Sequence, residues 1–112
     1  MTGLMLHPMK EIRIIILGEH VKFATNLLDS IHAAGYTIIH NISGKGHHGF
    51  HAHPMFNDMD SLVMLMTVDP EEKVEPILAG MQPIFDRYTG VMLVSDVAFS
   101  RAGASSKPAD KK

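Results

Sequence analysis

Apolar and polar positions along this chain follow two rhythms, and the switches between them mark six elements. Glu11-Ile12-Arg13-Ile14-Ile15-Ile16-Leu17 is rich in β-branched residues, too short for a typical helix, and ends at Gly18; it predicts a buried strand. From His20 to Ala34 the apolar residues Val21, Ala24, Leu27, Leu28 and Ile31 keep helical spacing, with Gly35 placed to end the helix as a C′ glycine. Tyr36–Ile42 predicts a second strand, and Ser61–Val68 a third that is apolar throughout Leu62-Val63-Met64-Leu65-Met66. Asp69-Pro70-Glu71-Glu72 predicts a helix start with Asp69 as N-cap. Val74, Ile77, Leu78, Met81 and Phe85 supply that helix's buried stripe, while Pro76 and Pro83 predict a kink or a break. A fourth strand covers Val91–Val97.

The order β-α-β-β-α-β predicts an α+β, ferredoxin-like fold: a four-stranded antiparallel sheet with two helices on one face. The strands carry apolar residues at adjacent positions, so both sheet faces are expected to be buried. Two helices cover only one face. Oligomerisation through the other is the economical solution, and a closed ring of few subunits fits it. Residues 1–8 are expected to form a flexible leader, 9–101 the domain with a long loop at 43–58, and 102–112 a small, polar, disordered tail.

Composition narrows the function. A chain of 112 residues is one domain, long enough for a core but short for a self-contained deep cleft. Formal net charge is −2 with no basic block, which argues against nucleic acid as a partner. The absence of cysteine removes disulfides, zinc ribbons and thiol catalysis. No apolar run approaches the ~20 residues of a membrane span, and Met1–Pro8 lacks the basic start of a signal peptide. The expectation is a cytoplasmic protein. No activated nucleophile, carboxylate pair or cofactor fingerprint is present, so a non-enzymatic role is expected.

The chemistry concentrates in the loop Gly44-Lys45-Gly46-His47-His48-Gly49-Phe50-His51-Ala52-His53-Pro54, which holds four of the eight histidines. Lys45 between two glycines permits close backbone approach to an anion, with the ammonium as counter-charge. The imidazoles have three readings. They could ligate a metal, although no zinc-finger or His-Glu-x-x-His spacing is present. They could donate hydrogen bonds to a phosphate or a small anion. They could also make a polar loop that changes charge near neutral pH.

From Met9 to about Arg101 the chain resembles the PII signalling proteins. The resemblance rests on Met9-Lys10-Glu11-Ile12, Gly35-Tyr36-Thr37-Ile38, Gly44-Lys45-Gly46, and Thr89-Gly90 leading to Asp96-Val97. It differs in a shorter loop without the tyrosine that some relatives modify. It also has His47-His48 in place of an Arg-Gln pair and Val91 where a lysine would stand. These departures are most similar to the PII-like proteins encoded near carboxysome and bicarbonate-transport genes.

The resemblance implies a homotrimer that binds an adenine nucleotide, ADP or AMP, between subunits through Ile15, Thr37, Gly44, Lys45, Gly46, His47, Thr89 and Gly90. Arg101 of the neighbouring subunit would reach the phosphates. It further implies bicarbonate held by Lys45, His47 and His48, and a loop, the T-loop, that switches to control a bicarbonate transporter or carboxysome component. No resident cofactor or metal is implied. The alternative is a trimeric CutA-like protein that binds metal through the loop histidines.

Overall fold

The computed structural model describes residues 5–43 and 61–100. The elements are β1 (His7–Leu17), α1 (Val21–Ile31), β2 (Thr37–Ile42), β3 (Leu62–Asp69), α2 (Val74–Arg87) and β4 (Gly90–Phe99). All strand pairs are antiparallel and the sheet order is β2-β3-β1-β4. This is the ferredoxin-like arrangement expected from the pattern. Most of the histidine loop and the tail, Arg101 included, lie outside the described residues.

β1 starts before its apolar run, with His7 and Pro8 opposite Phe99 and Ala98. Pairing with β3 begins only at Lys10, so Pro8, which has no N–H to give, falls where β1 has a single neighbour. Along β1 the side chains alternate. Ile12, Ile14 and Ile16 face the helices and are at most 1% exposed. They pack with Val63 and Leu65 of β3, Ala24 and Leu28 of α1, and Ile77, Met81 and Ile84 of α2. Each such aliphatic side chain contributes roughly 1.5–3 kcal/mol on burial. A one-residue slip would turn all three isoleucines away from the core, which fixes the register. Gly80 allows the helices to approach closely, since a Cβ there would lie 2.4 Å from Leu27 Cδ1.

Four expectations about the helices need correction. α1 ends at Ile31, and His32 rather than Gly35 takes the left-handed conformation, at φ 64°. The Ala33 N–H bonds the Leu28 carbonyl at 3.0 Å and the His32 N–H that of Asp29 at 3.1 Å, the paired bonds of a Schellman turn. Asp69 does not cap α2. It closes β3, 1% exposed, and its carboxylate accepts from the Ala34 N–H at 2.9 Å and the Thr67 hydroxyl at 2.6 Å. α2 instead follows Pro70 through one 3-10 turn, Glu71–Lys73. It then runs as one continuous helix through Pro76 and Pro83, without the break that two prolines allow. Ile84 takes the buried place assigned to Leu78, which is 40% exposed on the flank of the helix.

The other sheet face carries Ile15, Met64, Met66, Ile39, Val91 and Leu93, and among the described residues no element covers it. Val91 and Leu93 are each 49% exposed, and Ile39 is 40% exposed. No helix among the described residues is long and apolar enough to cross a membrane.

Candidate functional site

One end of the sheet collects most of the described candidates. β1 finishes there at Leu17 and β4 begins there at Gly90 opposite Ile16. β3 also begins there, with Leu62 opposite Leu17, and β2 ends there with Ile42 opposite Leu62. The two stems of the 44–60 segment therefore emerge at the same end of the sheet as Ile15 and Thr89-Gly90, the β3 stem next to β1 and the β2 stem at the edge away from β4. The Gly18 N–H donates to the Ser61 carbonyl at 2.8 Å and ties the β1 terminus to the returning stem.

Ile15 faces the open side between Met64 and Val91. Gly90 is its neighbour across the strand pair but occupies the helix side, where a Cβ would stand 3.1 Å from Phe85 and 3.2 Å from Ile16 Cγ2. Its lack of a side chain thus has a packing cause, independent of any ligand. Thr37 shares the open face but lies opposite Met66, with β3 between it and β1. It is about 10 Å across the sheet and ~7 Å along it from Ile15. Ile15 and Thr89-Gly90 come together within one chain; Thr37 does not join them. Gly44, Lys45, Gly46, His47, His48 and Arg101 lie outside the described residues. The last described residue before Arg101 is Ser100, just past the far end of β4. Ten residues of strand, ~30 Å, separate that end from Gly90.

The approach to the loop has a feature that periodicity did not signal. Between Ile39 and Ile42 the β2–β3 register shifts, with Asn41 at φ 58°. This bulge places His40 and Asn41 beside a cleft of about 290 Å³ that Gly18, Glu19 and Ser61 also line. Asn tolerates the left-handed region better than most residues, and its place in an apolar strand was the available hint.

An aromatic contact at this end carries no sequence signal either. The ring of His20 lies 4.4 Å from that of Tyr88 at 51°, and the Arg87 guanidinium sits 5.9 Å from the Tyr88 ring centre. At the opposite end, Lys10 donates to Asp96. That bond, with Glu71 nearby, holds the Lys10 ammonium above the usual lysine range against partial desolvation. Among the described residues no group of three His, Cys, Asp or Glu side chains is placed to hold a metal.

Residues 9–104 match the model of the family described as nitrogen regulatory protein P-II. The chain is similar to CPII, a nitrogen regulatory PII-like protein from Thiomonas intermedia K12, in a structure bound to ADP, AMP and bicarbonate. Identity is 47% and the TM-score 0.77, covering 86% of this chain and 92% of that one. The apo form of CPII is 42% identical with a TM-score of 0.73, covering 88% of this chain and 99% of the other. No curated protein matches the chain.

Proposed function

The chain belongs to the P-II family of nitrogen regulatory proteins, and we propose that it is a PII-like sensor of adenine nucleotide and bicarbonate. The observation that carries this reading is its 47% identity, over 92% of that chain, to a protein whose structure holds ADP, AMP and bicarbonate. The assembly is a homotrimer closed over the apolar sheet face that the single chain leaves open. ADP or AMP occupies the cleft between subunits. Ile15, Thr37, the Gly44–His47 segment and Thr89-Gly90 line it, and Arg101 of the neighbouring subunit reaches the phosphates. Because β4 carries the chain away from Gly90, an arginine beyond its far end is better placed to serve another subunit's cleft than its own.

Bicarbonate is held by Lys45, His47 and His48. A ligand that contacts the loop in one arrangement and not in others shifts the population toward that arrangement by its differential affinity. The resulting surface acts on a protein of inorganic-carbon metabolism. The role is regulatory.

Calorimetric titration of ADP and AMP, with and without bicarbonate, tests the proposal. The expected result is nucleotide binding at one site per subunit that bicarbonate tightens. Arg101→Ala should weaken ADP by ten- to hundredfold and leave adenosine unchanged, since a charge-assisted hydrogen bond contributes ~1.5–3 kcal/mol. A wild-type chain that binds neither nucleotide at millimolar concentration would end this reading.

A further inference from the structure

The imidazole of His20 is almost enclosed and almost unused. Its side chain is 12% exposed, and Nδ1 is out of solvent with no hydrogen-bond partner. Nε2 lies 3.6 Å from Glu19 Oε2, beyond hydrogen-bond reach for a ring N–H. Its close contact is with the ring of Tyr88, the residue immediately before Thr89-Gly90. Tyr88 has left the helix: its backbone is extended, at φ −133° and ψ 172°, with its N–H on the Ile84 carbonyl. Tyr88 is 44% exposed, and among the described residues its ring meets the His20 ring and the Arg87 guanidinium. His20 itself stands on firm ground. It ends the 3-10 turn Gly18–His20, which the Gly18–Ser61 hydrogen bond fastens on one side and α1 continues on the other.

We propose that His20 is a positioning residue for adenine-nucleotide binding: its ring backs Tyr88 and thereby sets the Thr89-Gly90 turn. The inference rests on the nucleotide reading above and adds a residue outside the set assigned to the ligand. His20 works through a ring face fixed to β1, and neither nitrogen needs to reach the nucleotide.

The experiment is a double-mutant cycle read by ADP calorimetry, with thermal stability followed in parallel. His20→Ala and Tyr88→Ala should each weaken ADP about tenfold, and the double variant should be no worse than the weaker single, as expected for residues that act in one contact. His20→Phe should bring affinity back to within about threefold of wild type, because the ring is restored without its nitrogens. Unchanged ADP affinity in His20→Ala, even with lowered thermal stability, would reduce the contact to packing and overturn the proposal. Losses that multiply in the double variant would do the same. Should His20→Ala fail to fold, His20→Phe against His20→Gln asks the same question, and equal affinities would overturn it. A wild-type chain that binds no ADP defeats the proposed function and this inference together, whereas normal wild-type binding with unaffected variants defeats this inference alone.

Discussion

The Lys73 ammonium donates a hydrogen bond to the Ile31 carbonyl at 2.6 Å, fastening the start of α2 to the end of α1. A second bond from the same ammonium reaches the His32 carbonyl at 3.2 Å, so a cation answers the negative end of the α1 dipole. Four residues earlier, Asp69 accepts from the Ala34 N–H. The segment between β3 and α2 thus grips the turn between α1 and β2 from both sides, and that turn delivers Thr37 to the sheet.

The two halves of this grip should differ in strength. Asp69→Ala strands the Ala34 N–H and the Thr67 hydroxyl in a buried site, at about 3 kcal/mol, while Lys73→Met removes a partly exposed cap at about 1 kcal/mol. Urea unfolding at fixed protein concentration should show the Asp69 midpoint moving much further with the slope unchanged. Equal shifts would contradict the burial argument.

Gly90→Ala should destabilise by about 1–3 kcal/mol, the usual range for overpacking, because the new methyl meets Phe85 and Ile16 together. Phe85→Leu added to it should recover part of the loss. If Gly90→Ala is as stable as wild type yet binds ADP poorly, the glycine serves the ligand and not the packing.

The uncovered sheet face sets a third expectation. Val91 stands opposite Ile15 on that face, and Val91→Glu would place a carboxylate in the proposed subunit interface without touching the core. A buried unpaired charge costs several kcal/mol. Sedimentation should show monomer where the wild type shows trimer; a variant that still assembles would locate the interface elsewhere.

Tyr36 offers a reading by pH. Partial desolvation of its hydroxyl, followed by the nearby Asp29 carboxylate and the hydrogen bond to it at 3.3 Å, raises its pKa above the usual tyrosine value. Because the folded pKa is the higher one, the associated stability is complete below about pH 10, the unfolded value, and is lost as pH rises through the folded pKa. Ultraviolet titration should resolve one phenol ionising above pH 10, and Asp29→Asn should bring it down. A transition that ignores Asp29 would refute the assignment.

How much of this was legible depends on how local the cause is. The strands of the isoleucine run and of Leu62–Met66 follow from residues within the element, as does the α1 stripe. Asp69-Pro70-Glu71-Glu72 carries every local mark of a helix start, yet its carboxylate answers an N–H 35 residues away. Gly35 has the composition of a helix stop, but α1 ends earlier, on carbonyls that Lys73 holds from another helix. The resemblance pointed to Ile15 and Thr89-Gly90, which the fold brings to one end. His20 carries no motif, and its relation to Tyr88 exists only once β1 and β4 are paired.

The bulge at His40-Asn41 has a consequence for length variation. It settles which way Ile42 points before the chain leaves β2, while the Gly18–Ser61 bond settles where the chain rejoins the sheet. Each stem is indexed by its own anchor, not by the number of residues between them. The 44–60 segment is in that sense a cassette: insertions or deletions within it leave the pairing of β2 with β3 intact. Removing a single residue between Ile39 and Ile42 would invert the parity of the strand's end.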